Sequence, residues 1–156
     1  MKKRAFLILL GICGIALGVV FAPFIILYLI IYGFYALALY LLVWLCWIPK
    51  GKDILFIYSD SPVWHDYVQN EIIPYIKSRA VILNWTERKK WAEKRSLQAL
   101  LFKNFGGYSE FNPLALYFRP FRLVKSYRFR SAFRDWKHGK TKPLEDLKNQ
   151  FLADIN

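Results

Sequence analysis

Residues 59–66, Ser-Asp-Ser-Pro-Val-Trp-His-Asp, gather side chains that could bind an anion or move a proton. Ser59, Asp60 and Ser61 precede Pro62 in the order that starts helices: Ser and Asp accept from unpaired N–H groups, and proline fits a first turn. Open α/β sheets place ligands where a strand end runs into such a turn. The N–H groups there favour a phosphate or carboxylate. Asp60, Ser61 and His65 are the catalytic candidates, since an imidazole titrates near neutrality and can serve as a general base. A helix cap that binds nothing and a solvent-facing histidine are the plain alternatives. Further on, Asn84 and Glu87 leave a second strand and could converge with Ser59 on one pocket. The alternative there is a loop anchored by Trp85. Gly106 and Gly107 open a loop towards Asn112-Pro113 and either admit a ligand close to the backbone or simply stop a helix.

A second kind of chemistry is electrostatic. The 156 residues carry 23 Lys and Arg against 11 Asp and Glu, a net charge of +12. Arg119, Arg122, Lys125, Arg128, Arg130, Arg134 and Lys137 lie in one tract, followed by Lys140 and Lys142, with Asp135 as the only acid among them. Such a tract suits an anionic surface. For a domain tethered at a bilayer, lipid headgroups or a partner protein are favoured over nucleic acid, because the tether raises the local concentration of the former. The interleaved Phe121, Leu123, Tyr127 and Phe129 read as the buried face of a strand.

Thiol and metal chemistry are excluded from residues 50–156, and no cofactor is expected. The two cysteines, Cys13 and Cys46, precede that segment, and His65 and His138 are the only histidines. Neither a dithiol nor a Cys- or His-rich zinc site can be built there. The glycine fingerprints of dinucleotide and P-loop sites are missing too.

The elements that must position these groups fall into two parts. Ala5 to Pro49 contains no charged residue, and this run of 45 residues exceeds the ~20 needed for one membrane crossing. With Pro23 as punctuation, the expectation is a transmembrane hairpin over 1–49, with helices at about 5–21 and 24–47. Lys2, Lys3 and Arg4 before it and Lys50 and Lys52 after it then place both termini on the cytoplasmic side of the inner (plasma) membrane. A cleaved signal peptide is disfavoured by Pro23 and by the second apolar run. Gly14 and Gly18 allow close helix packing, within the hairpin or between chains as an oligomer. Trp44 and Trp47 suit an interfacial aromatic belt.

Residues 50–156 form a basic α/β domain. Asp53–Ser59 is a continuous apolar run suited to a central strand. A helix follows from about Pro62 to Lys77, then a strand over Arg79–Trp85, a charged connection, and a short helix at Ser96–Phe102. Leu114–Phe118 is a third strand, Phe121–Arg130 an alternating fourth, and helices follow at Ser131–His138 and Leu144–Ala153.

With its segments I-Y-S-D-S-P-V-W at 57–64 and F-N-P-L-A-L-Y-F at 111–118, this β-α-β-α-β-β-α order resembles the thioredoxin-like superfamily, glutaredoxins in particular. It also looks like an uncharacterised bacterial membrane-protein family. The thioredoxin resemblance implies a cis Pro113 facing the Ser59–Trp64 turn, and so adds Pro113 to the ligand-binding candidates Ser59, Asn84 and Glu87. The family's two cysteines would fall around Pro62–Asp66, where this chain has none, so the resemblance implies a redox-inactive binding domain. An enzyme acting on a phosphate- or sugar-containing substrate at Ser59–Pro62 is the competing expectation.

Overall fold

A computed structural model of the chain describes residues 2–91, 93–94, 96–107, 109 and 111–155, with side chains from residue 18 onward. The side chains of Lys2, Lys3, Arg4, Cys13 and Gly14, and the loop residues Tyr108 and Glu110, lie outside the described residues. The chain divides into two compact units, residues 1–38 and 39–156.

The expected hairpin is not there. A single helix, α1, runs from Lys2 to Cys46 with Pro23 inside it. Residues 19–22, Val-Val-Phe-Ala, offer no glycine or polar side chain for a turn. A reversal in apolar surroundings would strand several backbone groups, whereas Pro23 removes one helical hydrogen bond. A Cβ placed on Gly18 would meet open space, so no second helix packs on that glycine. From Val19 to Leu37 large apolar side chains are exposed in every direction around the helix, the pattern of a helix that is covered by lipid or by other protein. The helix is long and apolar enough to cross a membrane. Crossing once unbroken, it would place its two ends on opposite sides, contrary to the expected pair of cytoplasmic termini.

The second unit begins inside this helix. Leu39, Val43 and Trp47, spaced four apart, are buried and join Leu55, Ile57, Leu83, Leu114, Leu116 and Phe118 in one core. The last two turns of α1 are therefore a layer of the domain, and Trp47 lies edge-on against Phe118 instead of joining a membrane belt. A 3₁₀ turn at Ile48–Lys50 and a left-handed Gly51 (φ 68°) then reverse the chain into the sheet.

The sheet has four strands: β1 Ile54–Tyr58, β2 Ala80–Asn84, β3 Leu114–Tyr117 and β4 Lys125–Arg128. Their order is β2-β1-β3-β4, with β1 parallel to β2 and antiparallel to β3, and β3 antiparallel to β4. All residues of β1 and β3 are buried, as their unbroken apolar runs require of strands covered on both faces. On the face away from α1, Phe56 and Phe129 pack under helices that include α6 (Arg130–Lys137) and α7 (Lys142–Ile155).

The helix expected over 62–77 runs without a break from His65 to Ile76, as α2 (His65–Tyr67), a wider π-helical turn over Val68–Ile72, and α3 (Ile73–Ile76). Pro74 offers no N–H to the carbonyl four residues earlier, and the ladder widens just before it, with Ile73 N–H bonding Val68 O five residues back. The charged connection forms a single helical turn, α4 (Arg88–Trp91), before α5 (Leu97–Phe105). The fourth strand is the clearest local correction. Only Lys125–Arg128 pair in the sheet, while Phe121 and Leu123 are 88% and 79% exposed. Pro120 lacks a ladder donor, Phe121 adopts φ 56°, and Val124 N–H donates to Tyr40 Oη at 2.8 Å instead of to β3.

Removing α1 altogether should therefore unfold the domain. A chain beginning at Leu39 is expected to give a protease-resistant, cooperatively melting unit. One beginning at Ile48 loses three buried side chains, roughly 5 kcal/mol, a large share of a small domain's stability. It should be cleaved rapidly under the same conditions, as limited proteolysis will read.

Candidate functional site

The ends of β1 and β2 bring the predicted polar residues to one edge of the sheet. Tyr58 and Asn84 are register partners, and Leu114, next to Pro113, pairs with both Ile57 and Arg128. Ser59, Asn84, Pro113 and Arg128 thus share that edge. The Asn112–Pro113 peptide is cis, and Pro113 is buried, its carbonyl accepting from Phe129 N–H at 3.0 Å.

The polar groups at this edge bind one another. Asn84 Nδ2 donates to Asp60 Oδ1 at 2.8 Å, Asp60 N–H to Thr86 Oγ1 at 3.0 Å, and Thr86 N–H to Asn84 Oδ1 at 2.9 Å. Trp64 Nε1 donates to Ser59 Oγ at 3.3 Å. Ser61 acts as a cap: its carbonyl accepts from His65 N–H at 2.9 Å and its hydroxyl faces Val63 N–H at 3.4 Å. These bonds tie the β1–α2 turn to the β2–α4 turn. The helical backbone that follows starts here, and its first N–H groups, those of Trp64 and His65, already bond to Ser61 O.

His65 Nδ1 lies 3.4 Å from Asp60 Oδ1, a close contact without hydrogen-bond geometry. Its ring is 6.1 Å from that of Tyr58. Burial, with the nearby Asp60 charge, raises the Tyr58 hydroxyl pKa, while donation from Gln69 opposes the rise. A carboxylate beside an imidazole is the part of the arrangement able to move a proton.

Glu87 does not join this group; it pairs with Lys90. Trp85 packs against Trp91, Phe102 and Phe111, with ring centroids 5.9, 5.3 and 4.7 Å away. Trp91 Nε1 donates to Asn84 O at 2.8 Å. This is the anchored loop that the plain reading describes. The close approach at Gly107 (φ 73°) is to Arg128, whose guanidinium would stand 3.0 Å from an added Cβ. Arg128 Nη1 also donates to Ser109 O at 2.7 Å and so holds that loop.

The basic tract is not one surface. Because β4 runs from Lys125 to Arg128, Arg119 and Arg122 lie before it at one sheet edge, and Arg130, Arg134 and Lys137 follow it from the other. Lys125 is committed: it and the Tyr127 hydroxyl both donate to the Asp154 carboxylate. Beyond β4, a groove of about 280 Å³ is lined by Val63, Trp64, Arg130, Ser131, Arg134 and Lys137. The three cations repeat at helical spacing along α6, and they face the same turn that carries Ser59 and Asp60. A second concavity of about 320 Å³ contains Arg79, which is ion-paired with Asp53 and donates to Ile155 O.

The pairing of α6 with Val63–Trp64 could not be found from local spacing, because some 65 residues separate them. Among the described residues, no group of three or more His, Cys, Asp or Glu side chains is placed to hold a metal ion. No family model, curated protein or solved structure matches the chain.

The Tyr127–Asp154 bond makes a pH prediction. Burial, and then the carboxylate beside it, push the Tyr127 pKa well above the ordinary tyrosine value. The donated bonds from Lys125 and Tyr127 hold Asp154 below the usual carboxylate range. For Tyr127 the stabilisation is complete below pH ~10, the unfolded value, and is lost as pH rises above it. For Asp154 it is present above pH ~4 and fades as pH falls. Tyr127→Phe should cost about 1 kcal/mol at pH 8, with the gap from the parent protein narrowing above pH 10 in urea unfolding. A gap constant from pH 8 to 12 would contradict this.

Proposed function

We propose that the chain is a membrane-anchored, redox-inactive binding protein whose domain captures an acidic segment of a partner protein at the cytoplasmic membrane surface. The groove between Val63–Trp64 and α6 carries the reading. Three cations at its rim supply attraction, and the Trp64 ring supplies an apolar contact. Guanidinium groups suit carboxylates in particular, because their fork of donors matches two oxygens. The strand–helix–strand–helix–strand–strand–helix order supports a thioredoxin-like architecture. The absence of cysteine after Pro49 in the sequence removes that family's dithiol chemistry. The exposed apolar length of α1 supports anchoring. Headgroup binding in the groove is less favoured than protein binding, because the groove adjoins the sheet edge opposite to the 119–124 turn.

The enzyme reading has one observation of its own, the Asp60 carboxylate beside His65. Against it stands the use of Asp60, Asn84, Thr86 and Ser59 in bonds to one another and to Trp64.

The test is binding of a fluorescent hexaglutamate peptide to the full chain in detergent. Binding is expected to weaken steeply with salt, since exposed charges are screened over ~10 Å at 0.1 M. Replacing both Arg130 and Arg134 with alanine should weaken it at least ~10-fold, given 1.5–3 kcal/mol per charged hydrogen bond. Arg122→Ala, Asp60→Asn and His65→Ala should leave it unchanged. If cellular function survives the α6 changes but is lost with Asp60→Asn and His65→Ala, the enzyme reading replaces this one.

A further inference from the structure

We infer that the turn formed by residues 119–124 dips into the lipid interface beside the helix that anchors the chain. Arg119-Pro120-Phe121-Arg122-Leu123-Val124 presents two large apolar side chains to the outside. Phe121 is the most exposed of the described large apolar residues at 88%, and Leu123 is 79% exposed. The flanking Phe118 and Tyr127 are buried, so the exposure is confined to this turn.

The turn is also built. Phe121 sits at φ 56°, a backbone conformation that an aromatic residue rarely adopts. Val124 N–H is fixed by Tyr40 Oη at 2.8 Å, and the Phe121 ring packs 5.0 Å from the ring of Trp44. Both partners belong to the last turns of α1, next to Leu41, Leu42 and Leu45, which are themselves exposed. The result is a patch on the 39–156 unit made of one helical stripe and one turn.

Its chemistry is that of an interface. Apolar side chains lie together with a half-buried aromatic pair, Tyr40 and Trp44, a residue type that favours headgroup regions. Cations stand at the margin. Arg122 and Lys50 are exposed, and the Ile48–Lys50 turn shares a concavity with Pro120. Long basic side chains reach phosphates while their stems remain in apolar surroundings. A soluble partner or a second copy would explain an apolar patch alone. Continuity with a helix that has no charged residue from Ala5 to Pro49 selects lipid. The inference rests on α1 being a membrane anchor, and it adds a second point of attachment that restrains how the domain stands on the surface.

Depth-dependent quenching tests it on the full chain. With Cys13 and Cys46 changed to alanine, single cysteines are introduced by Phe121→Cys, Leu123→Cys or, as a reference in the turn after α6, Lys140→Cys. Each is labelled with an environment-sensitive fluorophore. Both loop sites are exposed, so folding is preserved. The protein is reconstituted in vesicles of phosphatidylcholine and phosphatidylglycerol containing doxyl-labelled lipid. Labels at 121 and 123 should show blue-shifted emission and about threefold more quenching than the label at 140. Flotation with the vesicles but equal quenching at all three sites would overturn the loop inference alone. A blue shift without lipid quenching would do the same, since it assigns the patch to a protein neighbour. Failure to float would overturn the anchor and the loop together.

Discussion

Burial of Leu39, Val43 and Trp47 against one face of the sheet is the constraint on which the rest of the molecule depends. A strand such as β1, apolar at every position, cannot be left open on either face. The face away from α6 and α7 is closed by α5 together with the final turns of α1. One helix is thereby an apolar rod with exposed side chains all round up to Leu37 and a one-sided core element from Leu39. The boundary falls within a continuous helix, where composition alone places no mark. The domain therefore keeps the last turns of α1, from Leu39 onward, as part of its own core.

The same sheet sorts the functional groups. At the ends of β1 and β2, Ser59, Asp60, Asn84 and Thr86 satisfy one another and Trp64, which gives a rigid rim with its hydrogen-bonding capacity largely used. Positive charge supplies what that rim does not. β4 divides the basic residues: Arg130, Arg134 and Lys137 border a groove with Trp64, while Arg119 and Arg122 belong to the turn beside Tyr40 and Trp44. The two groups of cations therefore stand at opposite ends of the strands. Lys125, central in the tract, joins neither, because Asp154 holds it.

Much of the domain was legible in the residues. The apolar run at 54–58, the strand at 80–84, the proline-led strand at 114–117 and the last two helices are local patterns with one reading each. Where the reading failed, two physical effects had identical signatures. Phe121 and Leu123 alternate with charged residues as a half-buried strand would, yet Pro120 and the left-handed Phe121 take them out of the ladder. Pro23 looks like a turn, but a turn needs polar or glycine partners that Val19–Ala22 do not supply. The polar edge was recognisable from Ser59, Asp60 and Asn84 as strand-end residues, and Glu87 was drawn off by a neighbouring lysine. The basic groove was invisible, because Trp64 and Arg134 meet only through the tertiary fold.

The most direct measurement is native-state hydrogen exchange of the full chain in vesicles across a series of urea concentrations. Amides within 39–46 should lose protection together with β1 and β3, while those within 19–37 stay protected by helix and lipid. Protection of 39–46 that persists after β1 has opened would show that these turns belong to the membrane and not to the domain, contradicting the account.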